Sequence, residues 1–393
     1  MAKTHGPGFG KTVSADRQYR ARVAEFTTNC FGGALHHKQT LSITMLTFAV
    51  VCADRLGVAA VGQAMALANG TCRKHGTKQV DRFLSNKKLT LRRLFDPYVR
   101  MLVGPSGWIP ITVDWTDFDG DGHTTVCVSL LTGSKRGIPL IWLSVCKDEL
   151  KDMRKEYERM VLRELARILK ERHKDVVLLA DRGFGDVDFY KFLEGELHFR
   201  FIVRYKQGIY TTADGWMYPA IELVPKNGRV KVISDAYVTA RERGPYTAVL
   251  YKAAGMKEAW CLITNIHENS GRAIVNLYSR RFECEEGFRD LKDRRYGYGL
   301  SSARISDCRR RDRFLMLFAL AYVVLTLFGT ASEHLKLDRT IRANTVNKRT
   351  HSLFHQGQAL FGRLKRDVFG ALCKTSRDLF RSLLRNGACV AIP

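Results

Sequence analysis

Residues 108–146 read WIPITVDWTDFDGDGHTTVCVSLLTGSKRGIPLIWLSVC, and this stretch predicts three consecutive β-strands. It contains three runs rich in β-branched and aromatic residues, at 108–114, 123–132 and 137–146. Polar or glycine-containing segments separate the runs, as is typical of turns between strands. The stretch therefore predicts the start of a β-sheet.

The chain after this stretch alternates between helices and strands. Apolar residues recur at helical spacing among charged residues in 149–173, which predicts an amphipathic helix. A buried-type strand at 175–181, a short helix at 186–195 and a strand at 198–205 follow. The order βββαβαβ predicts an α/β fold built on a mixed sheet with helices.

The flanking regions differ from this core in composition. Residues 207–265 hold strand-like runs and turns, which predict an inserted β subdomain. The N-terminal part is helical, and its segment 73–100 carries nine Lys or Arg against two Asp. A basic pair of helices fits DNA docking, and a solvated helix face is nearly as good an interpretation. The predicted regions are 1–105, 106–206, 207–265, 266–335 and a basic helical 336–393.

The composition narrows the class of partner. With 64 Lys and Arg against 39 Asp and Glu, the formal net charge is +25, which predicts a polyanionic partner. The 45% apolar content excludes wholesale disorder and a fibrous repeat. Ten scattered cysteines without a C-x-x-C pair, and an N-terminus without a secretory signal, predict free thiols and a cytoplasmic protein.

Two segments suggest other classes of protein, and we set both aside. GPGFGK near the N-terminus lacks the spacing of a phosphate-binding loop, so no nucleotide is expected. Residues 314–329 are almost all apolar, but 16 residues would span only about 24 Å of a hydrocarbon core about 30 Å thick. A buried core helix is favoured over a membrane anchor.

Carboxylates at predicted strand ends mark a candidate active site. Asp114 closes the first predicted strand and Asp181 closes the fourth. Groups just beyond the carboxyl ends of strands meet at one crevice in an α/β sheet. Oxygen ligands suit Mg²⁺ rather than zinc, and two such ions can clamp the attacking and leaving oxygens of a phosphodiester. Asp117 is a rival to Asp114 as the first metal ligand.

The third acid is expected on a helix, in YSRRFECEEGFRDLK. Four residues at offsets of 0, 3, 7 and 14 would share one narrow face of a continuous helix. They are Tyr278, Arg281, Glu285 and Lys292. Glu283 and Glu286 are rivals to Glu285 but would face elsewhere. An exposed helix with ordinary ion pairs is the alternative interpretation.

The spacing Y-x2-R-x3-E-x6-K resembles the signature of DDE transposases of bacterial insertion sequences, of the insertion-sequence-4 type. The resemblance spans roughly residues 108–330. It implies a ribonuclease-H-like core in which Asp114, Asp181 and Glu285 hold two Mg²⁺ ions, with Mn²⁺ as a substitute. It also implies that transposon-end phosphates are gripped by Tyr278, Arg281 and Lys292.

The resemblance implies further properties. Some relatives excise through a DNA hairpin and stack a flipped base on a Trp, which Trp260 resembles; a Trp packed in a strand is an equal alternative. A second Trp of some relatives is replaced here by Phe282. The expected function is cut-and-paste transposition by a homodimer on paired double-stranded DNA ends. The alternatives are an inactive DNA-binding derivative, another ribonuclease-H-like nuclease, and a protein anchored in a membrane by 314–329.

Overall fold

A computed structural model of the chain describes residues 13–391 except 240–242, 296, 343–344, 347 and 362–365. The chain divides into two compact units. The helical unit comprises Met1–Gly104 and Arg289–Pro393, and the sheet unit comprises Pro105–Phe288. The two units are described separately.

The described part of the sheet unit contains one ten-stranded sheet. Its strands are β1 Ile109–Phe118, β2 His123–Leu131, β3 Gly137–Cys146, β4 Val176–Ala180, β5 Arg200–Arg204, β6 Tyr210–Ala213, β7 Trp216–Pro219, β8 Lys231–Val238, β9 Arg243–Tyr251 and β10 Trp260–Thr264. The spatial order is β3-β2-β1-β4-β5-β10-β9-β8-β6-β7. Only the β1–β4 and β4–β5 pairs are parallel.

The helices are divided between the units: α6 to α8 lie in the sheet unit, α9 crosses the boundary, and the others lie in the helical unit. In chain order they are α1 Val13–Phe31, α2 His37–Cys52, α3 Val58–Asn69, α4 Arg73–Leu84, α5 Leu91–Val103, α6 Arg154–Leu169, α7 Val187–Lys191, α8 Gly271–Ser279, α9 Glu283–Lys292, α10 Cys308–His334, α11 Leu353–Leu360, α12 Arg366–Asn386 and α13 Ala388–Ala391. The predicted mixed α/β fold is confirmed, and the order of strands and helices is compatible with a ribonuclease-H-like core.

The predicted insertion at 207–265 supplies strands β6 to β10, and they extend the core sheet instead of forming a sheet of their own. The connection is made by β10, which pairs antiparallel with β5 and places Leu262 opposite Arg204. β9 then pairs with β10, and β8 pairs with β9. An apolar β10 accounts for this continuity, because a strand buried on both faces is stable only inside a sheet.

Helix α8 packs on the sheet through its apolar face. Ile274, Val275 and Tyr278 are buried in one cluster with side chains from five strands. Ser270 caps the start of the helix by accepting a hydrogen bond from the Ala273 N–H, at 3.2 Å. This packing fixes the position of the chain that leads into the candidate site.

In the helical unit, α10 is the buried central helix predicted from its apolar run. It is the one described helix long and apolar enough to cross a membrane by length and composition, and its apolar window is entirely buried. It touches α11 backbone to backbone: a Cβ on Gly329 would lie 1.9 Å from the Leu353 carbonyl oxygen. Burial of this kind is typical of a core helix.

Candidate active site

The first two carboxylates lie on adjacent parallel strands. The prediction that Asp114 ends its strand is wrong, because β1 stays paired with β2 as far as Phe118 and His123. The parallel pairing of β1 with β4, however, stops at Thr112 and Leu179. If this register is continued by two residues, Asp114 stands opposite Asp181. The strands therefore present both carboxylates at one edge of their parallel region.

Asp181 directly follows β4 and lies beside a buried arginine. Its Oδ1 is buried and has no hydrogen-bond partner in the described residues, and Arg204 Nη1 is 4.0 Å away. Arg204 ends β5, where continuing the parallel register places it opposite Asp181. Its Nη2 donates to Glu258 at 2.6 Å, and Glu258 also accepts from Arg182 at 2.9 Å.

Arg204 is absent from the residues predicted from sequence. Its side chain is only 13% exposed, so its charge is directed toward Asp181 and Glu258 and away from bulk solvent. Its position in the sequence could have identified Arg204, because this residue ends the strand that follows Asp181. A strand-end search restricted to acids misses it.

The predicted continuous helix through Tyr278 and Glu285 is wrong. Helix α8 ends at Ser279, a 3₁₀ turn covers Arg280–Phe282, and α9 begins at Glu283. The Ser279 hydroxyl donates to the Asn276 carbonyl at 2.6 Å, and this local bond favours a tighter turn. The prediction that the four residues share one face of a continuous helix therefore does not hold across the turn.

Arg281 links two of the predicted acids. Its guanidinium donates from Nη2 to Glu285 Oε1 at 2.7 Å, and its Nη1 lies 3.6 Å from Asp114 Oδ2. The Arg281 side chain is 7% exposed, whereas that of Glu285 is 53% exposed. The oxygens of the three acids, including Asp181, are not gathered within 4.8 Å of one another. A buried cation thus lies between carboxylates that are close but separate.

Asp181 belongs to the same electrostatic cluster as Asp114, Glu285 and Arg281. Burial raises the pKa of Asp114; the Trp115 N–H at 2.8 Å and Arg281 oppose this effect, and Glu285 and Asp181 add to it. Burial tends to lower the pKa of Arg281, but Tyr278, Asp181 and Glu285 together outweigh burial and raise it. The three carboxylates therefore interact electrostatically around one guanidinium.

The rival acids have other basic partners. Asp117 lies 3.3 Å from Lys147, Glu283 lies 3.0 Å from Arg280, and Glu286 lies 3.3 Å from Arg136. Glu283 is also buried, which raises its pKa to about 6. Asp114 and Glu285 instead share Arg281. The choice of Asp114 and Glu285 as metal ligands stays a prediction.

Trp260 belongs to an aromatic cluster beside Arg281. It begins β10, and its ring centroid lies 5.1 Å from Tyr278 edge-on and 6.1 Å from Phe282 in a stacked arrangement. Phe282 is 41% exposed, and the Arg281 guanidinium lies 4.7 Å from its ring centroid. Trp260 is itself half-buried. The cluster thus has a packed side and an exposed side.

Tyr278 is a buried neighbour of Arg281, whereas Lys292 lies at the end of α9. Tyr278 is 1% exposed, and its buried hydroxyl has no hydrogen-bond partner in the described part of the chain. Burial raises the pKa of this phenol well above its usual range. Lys292 is the last residue of α9, two helical turns after Glu285, and it belongs to the helical unit. Its predicted role stays a prediction.

Two glycines hold the start of α9 against the sheet. A Cβ on Gly287 would lie 2.6 Å from the Gly137 carbonyl oxygen, and a Cβ on Gly137 would lie 3.1 Å from Cys284 Cα. The helix therefore rests on the first residue of β3 with no side chain between the two backbones. Glu285 lies between Cys284 and Gly287, so the backbone contact with Gly137 sets the distance of its carboxylate from the sheet.

A comparison with protein families matches part of the chain. Residues 150–324 match the protein family described as the transposase DDE domain. The match covers less than half of the chain; it includes Asp181, Arg281 and Glu285 and begins after Asp114. It supports a DDE transposase with transposase-type nuclease activity, a class that generally uses divalent metal ions and binds DNA. No curated protein matches the chain.

Proposed function

We propose that the protein is a cut-and-paste transposase of the insertion-sequence-4 type with a ribonuclease-H-like core. It binds the terminal inverted repeats of its element, cleaves the DNA strands at each end and joins the freed 3′-hydroxyl to target DNA. The observation that carries this proposal is the contact of one buried guanidinium, that of Arg281, with both Asp114 and Glu285. That contact joins Asp114 to the Y-x2-R-x3-E-x6-K signature, which is far away in sequence.

Asp114, Asp181 and Glu285 fit a site for two Mg²⁺ ions, with Mn²⁺ as a substitute. The donors are carboxylate oxygens, which such hard cations prefer. The buried Asp181 Oδ1 has no hydrogen-bond partner in the described residues, so it retains its capacity to bind a cation. When bound, the ions would supply an activated water and neutralise charge on the transferred phosphate.

The basic residues of the signature have a separate task in this proposal. Arg281 presents a planar set of donors that matches a phosphate through two hydrogen bonds, and Lys292 acts as a point charge. In the protein alone, Arg281 is directed at Asp114 and Glu285. In the DNA complex, Arg281 would exchange these carboxylate partners for a phosphate. Tyr278, a buried neighbour of Arg281, would support the guanidinium.

Trp260 is proposed as the base-stacking residue of a hairpin intermediate. Its stacking on the exposed Phe282 gives the flipped base an aromatic surface next to Arg281. We further propose that the enzyme acts as a homodimer on paired ends, in the cytoplasm, on double-stranded DNA without a nucleotide. The burial of α10 supports a core helix rather than a membrane span at this position.

The test uses the DNA that flanks the gene on both sides. Single-turnover reactions with the purified chain and Mg²⁺ should give nicks at both ends of the element, followed by joining to a target plasmid. Addition of EDTA should stop both steps, and Mn²⁺ should restore them. Cleavage without joining would indicate another ribonuclease-H-like nuclease. Binding without cleavage in either metal would indicate an inactive derivative.

A further inference from the structure

Glu158 is a buried acid on the apolar face of α6. It is the one charged side chain among the buried residues of α6, a helix that the structure describes in full. The other buried residues are Val161, Leu162, Leu165, Ile168 and Leu169. Helix α6 packs against β2 and β3. Burial of a carboxyl group is unfavourable unless a hydrogen bond compensates it, so the partner of Glu158 indicates its role.

The partner of Glu158 is the indole of Trp115 on β1. Trp115 Nε1 donates to Glu158 Oε1 at 2.7 Å. Arg154 lies over the face of the same ring, with its guanidinium carbon 5.1 Å from the ring centroid, and its Nε is 3.4 Å from the same Glu158 oxygen. Burial raises the pKa of Glu158, and these two partners only partly oppose the effect. The indole is therefore held at its edge and over its face by residues of α6.

Trp115 and Asp114 point to opposite faces of the sheet, because successive side chains of a strand alternate. Asp114 shares its face with Cys127, which lies opposite it on β2. The sulfur atoms of Cys127 and Cys284 lie 3.7 Å and 3.8 Å from the Ser129 hydroxyl. Cys284, at the start of α9, thus lies on the Asp114 face, whereas Trp115 is held on the other face.

The backbone of Trp115 connects the two faces. Its N–H donates to Asp114 Oδ1 at 2.8 Å, and the other carboxylate oxygen, Oδ2, lies 3.6 Å from Arg281 Nη1. A backbone donor keeps its direction only while its own residue is fixed. The hydrogen bond from the indole to Glu158 fixes Trp115 from the other face of the sheet. The orientation of the Asp114 carboxylate therefore depends on a residue that does not touch it.

We infer that Glu158 is a positioning residue for Asp114, the first proposed metal ligand, and acts on it through Trp115. The bond from the Trp115 N–H engages Oδ1 and favours Oδ2 as the oxygen that meets a cation. Hydrogen bonds to a ligating carboxylate orient it and strengthen metal binding. The identity of the cation rests on the proposed function, whereas the chain of contacts from Glu158 to Asp114 rests on the geometry alone.

The experiment measures the Mn²⁺ affinity of the full chain by calorimetry without DNA, so that its outcome does not depend on cleavage. Glu158→Ala removes the acceptor, and Glu158→Gln keeps an acceptor oxygen without the charge. Trp115→Phe removes the indole donor and keeps an aromatic ring. Glu164→Ala is the matched control, because Glu164 lies on the same helix and pairs with Arg167 at 2.7 Å. Asp114→Asn identifies the Mn²⁺ that is bound at this carboxylate.

We expect Glu158→Ala and Trp115→Phe each to weaken Mn²⁺ binding by about tenfold, as for other residues that orient metal ligands. The double variant should bind Mn²⁺ no more weakly than either single variant, because both changes break the same contact. Glu158→Gln should keep the affinity within about threefold of wild type, since its amide oxygen still accepts the hydrogen bond. Glu164→Ala should keep it within about twofold, because it leaves Trp115 in place.

A purely structural role of Glu158 gives a different pattern. Glu158→Ala would then lower the free energy of unfolding in urea but leave Mn²⁺ affinity unchanged, and this result would overturn the inference. Additive losses in the double variant would also overturn it, because Glu158 would then not act through Trp115. If Glu158→Ala does not fold, unchanged Mn²⁺ affinity in Trp115→Phe overturns the inference. The expected affinities without any cleavage of end DNA by wild type would contradict only the proposed function.

Discussion

Asp114 and Asp181 occupy equivalent positions on adjacent parallel strands, each two residues beyond the last pair that joins β1 to β4. Neighbouring strands are about 4.8 Å apart, so the register alone brings the two carboxylates to one edge. Arg281 then adds Glu285 from α9 through a 2.7 Å hydrogen bond. The sheet register and one buried arginine together organise the candidate site.

Arg281→Gln should change metal affinity and activity in opposite directions. The guanidinium competes with a metal ion for Asp114 and Glu285, so its removal should tighten Mn²⁺ binding by about tenfold, as expected for loss of one close charge interaction. Cleavage should nevertheless fall by at least a hundredfold, because a phosphate-binding group is lost. Calorimetric titration with Mn²⁺ and single-turnover cleavage give the two values.

Arg281→Lys is the matched control, since it keeps the charge but not the paired donors. It should keep wild-type Mn²⁺ affinity within about threefold and recover only part of the cleavage rate. Weaker Mn²⁺ binding in Arg281→Gln would show that the arginine organises the carboxylates for the metal and does not compete with it.

Arg204→Gln should slow cleavage by about ten- to a hundredfold. Arg204 is a mostly buried cation 4.0 Å from Asp181, and its removal takes away a charge that also pairs with Glu258. Arg182→Gln removes the other, more exposed partner of Glu258 and should change the rate by less than threefold. Equal cleavage rates in the two variants would mean that Arg204 only supports the fold. Mn²⁺ titration of each variant shows whether metal binding changes as well.

Gly287→Ala should destabilise the sheet unit by about 1–3 kcal/mol and slow cleavage. The new methyl would lie 2.6 Å from the Gly137 carbonyl oxygen, so α9 must move and carry Glu285 with it. Gly195→Ala is the control, because no atom lies within 4 Å of its Cβ position. Urea unfolding of the two variants measures the difference, and equal stability would contradict the close contact.

Glu283→Gln should make stability less dependent on pH. Burial raises the pKa of Glu283 from 4.5 to about 6, so the folded protein binds a proton more tightly than the unfolded chain. Wild type should therefore lose up to about 2 kcal/mol of unfolding free energy as pH rises through 4.5 to 6. The variant should lack this loss. Urea unfolding of both proteins at pH 4 and pH 7.5 measures this difference. An equal change in unfolding free energy between the two pH values would contradict the raised pKa of Glu283.

Some of this structure follows from local patterns in the sequence. The alternation of strand runs and one amphipathic helix predicts β1 to β5 and α6, because burial on a sheet selects those periodicities. The apolar run at 314–329 likewise predicts the buried centre of α10. Spacing within the signature predicts that Arg281 and Glu285 meet, since four residues make about one helical turn.

Other features depend on distant partners and have no local signal. β1 extends to Phe118 because β2 pairs with it there, so Asp114 lies inside a strand. The helix is interrupted by a 3₁₀ turn at Arg280–Phe282, next to the hydrogen bond from the Ser279 hydroxyl to the backbone, and no glycine or proline marks this position in the sequence. The role of Arg204 depends on strand order, which sequence spacing does not specify.

The most direct test compares cleavage by conservative variants of the proposed acids and of their rivals. Asp114→Asn, Asp181→Asn and Glu285→Gln should each reduce Mg²⁺-dependent cleavage of the end DNA by at least a thousandfold while end binding stays within about threefold of wild type. The rival changes, Asp117→Asn and Glu286→Gln, should keep cleavage within about tenfold of wild type. Undiminished cleavage by Glu285→Gln, or a loss confined to the rivals, would contradict the account.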